Sequence, residues 1–126
     1  MARLQELRIR NLAVVEELDL APGKGLNVFS GETGAGKSIL MGAVELLLGG
    51  RGSTDLIRTG ADQARVEGLF HFDDPDYLRR RGLDQALEDG TLLIVRELSR
   101  SGRSRILVND ELATLARLKS IGDVLA

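Results

Sequence analysis

Apolar and charged residues alternate along the first part of the chain. Leu7 and Ile9 fall on one face with charged residues between them, and this period of two predicts a half-buried strand. A second strand is predicted from the shared face of Val14, Leu18 and Leu20, which lies opposite acidic positions. The two strands predict an antiparallel layer at the start of the fold.

A change from strand to helix periodicity follows. Residues 26–30 predict a short strand that enters a glycine-rich loop. From Lys37 onward the apolar positions leave almost no polar face, and this pattern is typical of a buried helix. Gly49 and Gly50 are predicted to end that helix.

The second half of the chain predicts a strand, a hairpin and a helix. The strand has one apolar face, formed by Val66, Gly68, Phe70 and Phe72. Residues 91–98 and 105–108 predict a hairpin whose turn lies at 101–103, and 109–110 predict a further turn. The helix carries an apolar stripe made of Leu115, Leu118, Ile121 and Leu125. Because this stripe runs into the last residue, we expect 1–126 to be the first part of a larger protein.

Composition narrows the class of protein. The chain has 126 residues, a net charge of -2 and no Cys, and 14 of its 17 basic residues are Arg. The absence of Cys excludes a disulfide framework. The chain as a whole is not positively charged, so any contact with nucleic acid must come from local basic patches. No signal peptide or membrane-spanning stretch is evident. We expect a soluble, cytoplasmic domain.

The strongest chemical signal is a phosphate-binding P-loop. The pattern G-x-x-x-x-G-K-[ST] is matched by Gly31, Glu32, Thr33, Gly34, Ala35, Gly36, Lys37 and Ser38. A strand before it and a helix after it are the context that this motif requires. The glycines bring backbone N–H groups close to phosphate oxygens, and the helix adds its N-terminal N–H groups. Lys37 is predicted to bridge the β- and γ-phosphates of ATP, and Ser38 to ligate Mg²⁺.

A complete hydrolytic site is absent from the sequence. Hydrolysis also needs an acidic residue at the end of another apolar strand. The best match is the run 92–95, but Arg96 stands where the acid belongs, and a cation there opposes Mg²⁺ binding. Residues 98–102 do not form a Leu-Ser-Gly-Gly signature. We therefore expect this chain alone to bind nucleotide and to be inactive as an enzyme.

Several segments together resemble a known family. Residues 7–12, 27–38, 50–53, 57–61 and 101–105, with Val108-Asn109, are similar to the N-terminal head of the SMC-like ABC ATPases, and most of all to the bacterial RecN DNA repair proteins. The resemblance covers the whole chain. It implies an α/β fold: the N-terminal lobe of an ABC/SMC-type P-loop NTPase head with an antiparallel β layer. Residues 1–126 would be this incomplete lobe.

The resemblance also implies partners and further site residues. ATP would be held between two heads, and the missing segments would lie in a C-terminal lobe beyond a long coiled coil. The parent protein would act on DNA in double-strand break repair and recombination, associated with the nucleoid. Arg51 would lie near the nucleotide and support DNA-stimulated hydrolysis. Arg10 and Asn11, at the end of the first strand, would contact the base or ribose. For each of these three residues, a solvated polar role remains the alternative.

Two arginine groups are candidate DNA contacts. Arg100, Arg103 and Arg105 surround the hairpin tip, and residues 79–81 are three consecutive arginines. Either group could bind DNA phosphates with steep salt dependence, but solvated surface arginines are the favoured interpretation for each. His71, the single histidine, has no Cys beside which to form a metal site.

Two other functions remain open at this point. One is a small P-loop kinase, which would need a lid and an acceptor site that the sequence does not display. The other is a nucleotide-dependent module that binds DNA or a partner without hydrolysis. ATP-dependent phosphorylation by this chain would favour the kinase.

Overall fold

The computed structural model describes residues 2–21, 34–72 and 90–125, together with Asp76 and Arg80. Its elements are β1 (Ala2–Leu12), β2 (Val15–Leu20), α1 (Gly34–Leu47), a 3-10 helix (Thr54–Leu56), β3 (Gln63–Phe72), β4 (Thr91–Ser99), β5 (Arg105–Val108), β6 (Glu111–Leu112) and α2 (Leu115–Leu125). The strand predicted at 26–30 and the first three residues of the P-loop lie outside the described residues. Neither described helix is long and apolar enough to cross a membrane.

The six strands form one antiparallel sheet in the order β2-β1-β3-β4-β5-β6. Alternation places one side chain in two on the face that both helices cover. One cross-strand row on this inner face runs from Ile9 through Val66 and Arg96 to Ile106. All four are buried, so a single arginine stands within an otherwise apolar row.

The C-terminal end of α1 is closed by two glycines. Gly49 has a φ of +99°, a left-handed conformation that glycine adopts without a Cβ penalty. Its N–H donates to the carbonyl of Leu46 at 3.4 Å, and the N–H of Gly50 donates to the carbonyl of Glu45 at 2.8 Å. This pair of bonds is a Schellman motif. The prediction that Gly49 and Gly50 end the helix is confirmed.

The same helix end crosses α2 at close range. Gly122 of α2 is buried, and an added Cβ would overlap the carbonyl group of Leu48. A Cβ on Gly49 would lie 2.8 Å from the Cα of Lys119. Because neither glycine has a side chain, the two backbones come together there.

The structure differs from the predicted strands in two details. Val14 does not share the inner face of β2, so that prediction is wrong: it lies in the turn between β1 and β2 and is 81% exposed. The turn at 109–110 is confirmed, and both Asn109 and Asp110 have a positive φ. They join β5 to β6, a two-residue strand that the sequence pattern did not predict.

The outer face of the sheet carries a row of charged side chains on five strands. In register order its members are Glu17, Arg10, Arg65, Glu97 and Arg105. Glu97 accepts from Arg65 Nη1 at 3.0 Å and from Arg105 Nε at 2.7 Å. Opposite charges on facing strands stabilise the pairing, although each exposed pair contributes only about 0.2–1 kcal/mol.

Arg10 is the member of the row that faces β2. Its guanidinium donates to the two carboxylate oxygens of Asp19 at 2.8 and 3.3 Å, and lies 3.3 Å from Glu17. The hydrogen bond from Arg10 holds the pKa of Asp19 below its ordinary value. Arg10 is therefore already paired with carboxylates of β2.

The crossing of the two helices gives a first test. Gly122→Ala should lower the free energy of unfolding by about 1–3 kcal/mol, because its Cβ overlaps the backbone of α1. Gly42→Ala is the matched control, since nothing lies within 4 Å of its added Cβ. This control should be neutral or stabilising by up to about 1 kcal/mol, because alanine favours helix. Urea denaturation of both variants measures the difference, and equal stabilities would contradict the described crossing.

The Arg10–Asp19 pair gives a second test. By NMR titration the Asp19 carboxyl should titrate below an ordinary aspartate, and Arg10→Gln should raise its pKa. Because the folded pKa is lowered, the pair stabilises the fold above the unfolded pKa, and this contribution is lost as pH falls through the folded value. Arg103→Gln, at the exposed hairpin tip, should leave the Asp19 titration unchanged. An unmoved pKa in Arg10→Gln would contradict the assigned cause.

Candidate nucleotide site

The P-loop is described only in its second half. Gly31, Glu32 and Thr33 lie outside the described residues, and α1 begins at Gly34, within the motif. The backbone N–H groups of a first helical turn have no intrahelical acceptor, and they carry the positive end of the helix dipole. The helix start and the donor types present, a lysine, a serine and glycine N–H groups, therefore fit a phosphate group bound with Mg²⁺.

Arg10 and Asn11 lie at the end of β1 with their backbone fixed by other segments. Asn11 has a φ of +54°, and its carbonyl accepts from the N–H of Arg58 at 2.8 Å. The N–H of Ala13 donates to the carbonyl of Leu56 at 2.7 Å. A nucleotide contact from Arg10 would require it to exchange its bonds to Asp19, and that contact stays a prediction for both residues.

Arg51 follows the glycines that close α1. Its side chain is exposed, and it stands between Gly50 and Gly52 in a segment without regular structure. The carbonyl of Gly50, before it, accepts a hydrogen bond from the buried guanidinium of Arg96, and Gly52, after it, lies close to the same group. The position of Arg51 therefore depends on an element that is distant in sequence.

Arg96 stands where a magnesium-binding acid would be expected, and the sequence alone indicates no other role for it. Its exposure is 3%, and Nη1 donates to the carbonyls of Leu46 at 2.8 Å and of Gly50 at 2.5 Å. Burial lowers the pKa of this guanidinium, but an arginine keeps its charge at neutral pH. It is thus a buried cation at the negative end of α1. Its Nε has no hydrogen-bond partner among the described residues.

A signal for this inward position is present in the sequence. Leu92, Ile94 and Leu98 have the same parity as Arg96, so strand alternation places all four on the inner face. What alternation does not give is the partner, because the two acceptors lie 50 and 46 residues away.

The hairpin arginines divide into those with and without internal partners. Arg100 donates from Nε to the carbonyl of Ala61 at 2.6 Å and from Nη2 to the carbonyl of Arg58 at 3.1 Å. Arg105 is paired with Glu97 in the charged row of the outer face. The side chain of Arg103 is exposed at the tip and makes no hydrogen bond or ion pair with other described residues. Contact of this group with DNA stays a prediction.

An apolar cavity of about 170 Å³ lies beside the candidate site. It is bounded by the end of β1, by α1 and by the 3-10 helix, and its lining residues are Leu12, Ala13, Ile39, Gly42, Leu46 and Leu56. None of its described lining residues is charged, so this lining does not suit a phosphate. Among the described residues, no group of three or more His, Cys, Asp or Glu side chains is placed to hold a metal ion.

Comparison with solved structures identifies the fold. An SMC head domain from Pyrococcus furiosus, with an extended coiled coil and bound to the C-terminal domain of ScpA, superposes with a TM-score of 0.74 at 21% identity, covering 99% of this chain and 33% of that one. A structure from work on ATP-driven dimerization and DNA-stimulated activation of SMC ATPases gives 0.72 at 22%, covering 97% and 78%. The predicted fold class, the N-terminal lobe of an SMC-type P-loop NTPase head, is confirmed.

Comparison of sequences identifies the family. A family model described as an AAA domain matches residues 6–121. The DNA repair protein RecN of Bacillus subtilis (strain 168) is 42% identical over 97% of this chain and 22% of its own length. RecN of Synechocystis sp. is 42% identical over 93% of this chain and 21% of its own length. The chain thus spans about a fifth of the length of these relatives. It belongs to the AAA domain family, and within that family it is RecN-like.

Proposed function

We propose that this chain binds ATP as the N-terminal lobe, residues 1–126, of a RecN-like DNA repair ATPase. The observation that carries the proposal is the P-loop sequence at the start of α1, in a chain that has the fold of SMC-type ATPase heads and matches the AAA domain family. Relatives named as DNA repair proteins support the repair role. The protein would act in the cytoplasm, on the nucleoid.

The residues of the motif have separate tasks in this proposal. Backbone N–H groups of Gly31–Gly36 surround the phosphates, and Lys37 places a positive charge against the terminal phosphate oxygens. Ser38 supplies a hydroxyl ligand for Mg²⁺, which neutralises phosphate charge when bound. Arg51 is the candidate for the added positive charge that supports hydrolysis.

Turnover would require groups from outside this chain. Arg96 follows the apolar run 92–95 within β4, where an acid would be needed, and it is buried against backbone carbonyls. A C-terminal lobe and a second head would supply the acid and the signature segment. ATP bound by this chain alone should therefore persist unhydrolysed.

A second candidate function is favoured by the same observation. If the parent protein also lacks the acid, ATP would act only as a structural ligand of a module that binds DNA or a partner. Measuring ATP hydrolysis by the full-length protein separates the two functions. Hydrolysis would exclude the module that uses ATP only as a structural ligand.

Loss of the P-loop lysine tests nucleotide binding. Lys37→Ala should weaken the affinity for a fluorescent ATP analogue by about tenfold to a hundredfold, because a hydrogen bond to a charged group contributes about 1.5–3 kcal/mol. Titration of the chain in Mg²⁺ buffer measures it. Lys119→Ala, an exposed lysine on α2, is the matched control and should bind normally. Equal affinity of the Lys37 variant and the unaltered chain would disprove the site.

Loss of Arg51 tests its proposed role in hydrolysis. In the full-length protein, Arg51→Ala should reduce the ATPase rate measured with DNA by about tenfold or more while ATP still binds, because the lost charge acts on the transition state. The control is Arg58→Ala, a half-buried arginine on the same segment. Normal stimulation by DNA in Arg51→Ala would show that this arginine is only a surface residue.

A further inference from the structure

The segment between α1 and β3, residues 50–62, is held at both ends by arginines of β4 and of the turn after it. Arg96 binds its first residue, Gly50. Arg100 binds its last turn through the carbonyls of Arg58 and Ala61, and the N–H of Arg100 donates to the carbonyl of Asp62 at 2.9 Å. Both arginines act on backbone carbonyls, so they fix the path of the segment rather than its side chains.

Arg96 acts on the residues directly before and after Arg51. The carbonyl of Gly50, directly before Arg51, accepts from Nη1 of Arg96. Gly52, directly after Arg51, lies against the same side chain: its added Cβ would be 3.1 Å from Nη2 of Arg96 and 2.5 Å from Cδ2 of Leu98. The guanidinium thus binds the residue before Arg51 and lies close to the glycine after it, while the side chain of Arg51 remains exposed.

The chemistry of this contact requires an arginine. A guanidinium is planar, stays charged and offers several N–H donors in fixed directions. Here Nη1 donates to two carbonyls, that of Leu46 on the last turn of α1 and that of Gly50 beyond it. Nη2 faces Gly52. Since α1 begins in the P-loop, the bond to Leu46 joins the segment that carries Arg51 to the helix that carries the phosphate site.

We propose that Arg96 is a positioning residue for Arg51. It aligns Arg51 with the nucleotide site by bonding the carbonyl before Arg51 to the end of α1 and by lying close to Gly52 after it. A charged group that must meet a developing charge is most effective when its backbone is fixed beforehand. This inference rests on the role of Arg51 in the proposed function. A purely structural Arg96 would stabilise the fold without a specific effect on Arg51.

The first measurement needs no enzymatic activity. In the full-length protein, Arg96→Met should increase amide hydrogen exchange of Gly49 and Gly50 by about tenfold or more, because their N–H groups are hydrogen-bonded in the helix end that Arg96 holds. The amide of Ala61, hydrogen-bonded in the turn that Arg100 holds, should keep its protection. Arg65→Met is the matched control, because Arg65 is an exposed arginine on the neighbouring strand with carboxylate partners only. Unchanged exchange at Gly49 and Gly50 in a folded Arg96→Met protein would overturn the proposal.

The second measurement is a double-mutant cycle on ATP hydrolysis. Arg96→Met should lower the DNA-stimulated kcat by about tenfold to a hundredfold, with a much smaller change in KM for ATP. In an Arg51→Ala background the same substitution should cause little further loss, because the residue that it positions is absent. Equal losses in both backgrounds would overturn the proposal.

A second variant covers the case in which Arg96→Met does not fold. Gly52→Ala leaves the buried cation in place and displaces the segment from the other side, because its Cβ would press on Leu98 and Arg96. It should reproduce the loss of stimulated kcat and the dependence on Arg51, and a normal stimulated rate would overturn the proposal. If the unaltered protein neither binds nor hydrolyses ATP, the proposed function fails, and the exchange measurement still decides whether Arg96 fixes the segment.

Discussion

The buried guanidinium of Arg96 lies where α1, the sheet and the segment after α1 meet. Removing such a cation from water costs several kcal/mol, so it requires compensation close by. The end of α1 provides it, because carbonyls at a helix C-terminus carry a partial negative charge. The Schellman motif leaves the carbonyl of Gly50 directed at Arg96, and Gly52 leaves room for the planar group. Arg96 thus joins the end of the helix to the segment that follows it.

The sequence predicted those parts of the fold that depend on periodicity. Apolar alternation identified β1 and β3, and helical spacing identified α2, because one face of each element is buried. A β-rich run followed by a turn identified the hairpin of β4 and β5. Periodicity gave Val14 the wrong place, since a turn with Ala13 at a φ of +51° interrupts the alternation after Leu12. It also missed β6, because two residues are too few to display a period.

The candidate site, too, was predictable from the sequence only in part. A P-loop is recognisable from sequence because phosphate is bound by backbone groups whose geometry follows from local spacing. The roles of Arg96 and Arg100 were not recognisable, because their acceptors are carbonyls about 40 to 50 residues away and any residue type can provide a carbonyl. Sequence reasoning placed Arg51 near the nucleotide only through a family resemblance, and the residues that support it came from the structure.

The charged row on the outer face affects how the arginine content of this chain should be interpreted. Free arginines release bound counterions when they meet a polyanion, and this release makes DNA binding depend steeply on salt. Arg10, Arg65 and Arg105 already have carboxylates as their counterions, so they have little to release. The outer face of the sheet is therefore close to electrically neutral despite its arginines. A count of basic residues overstates the attraction of this chain for nucleic acid.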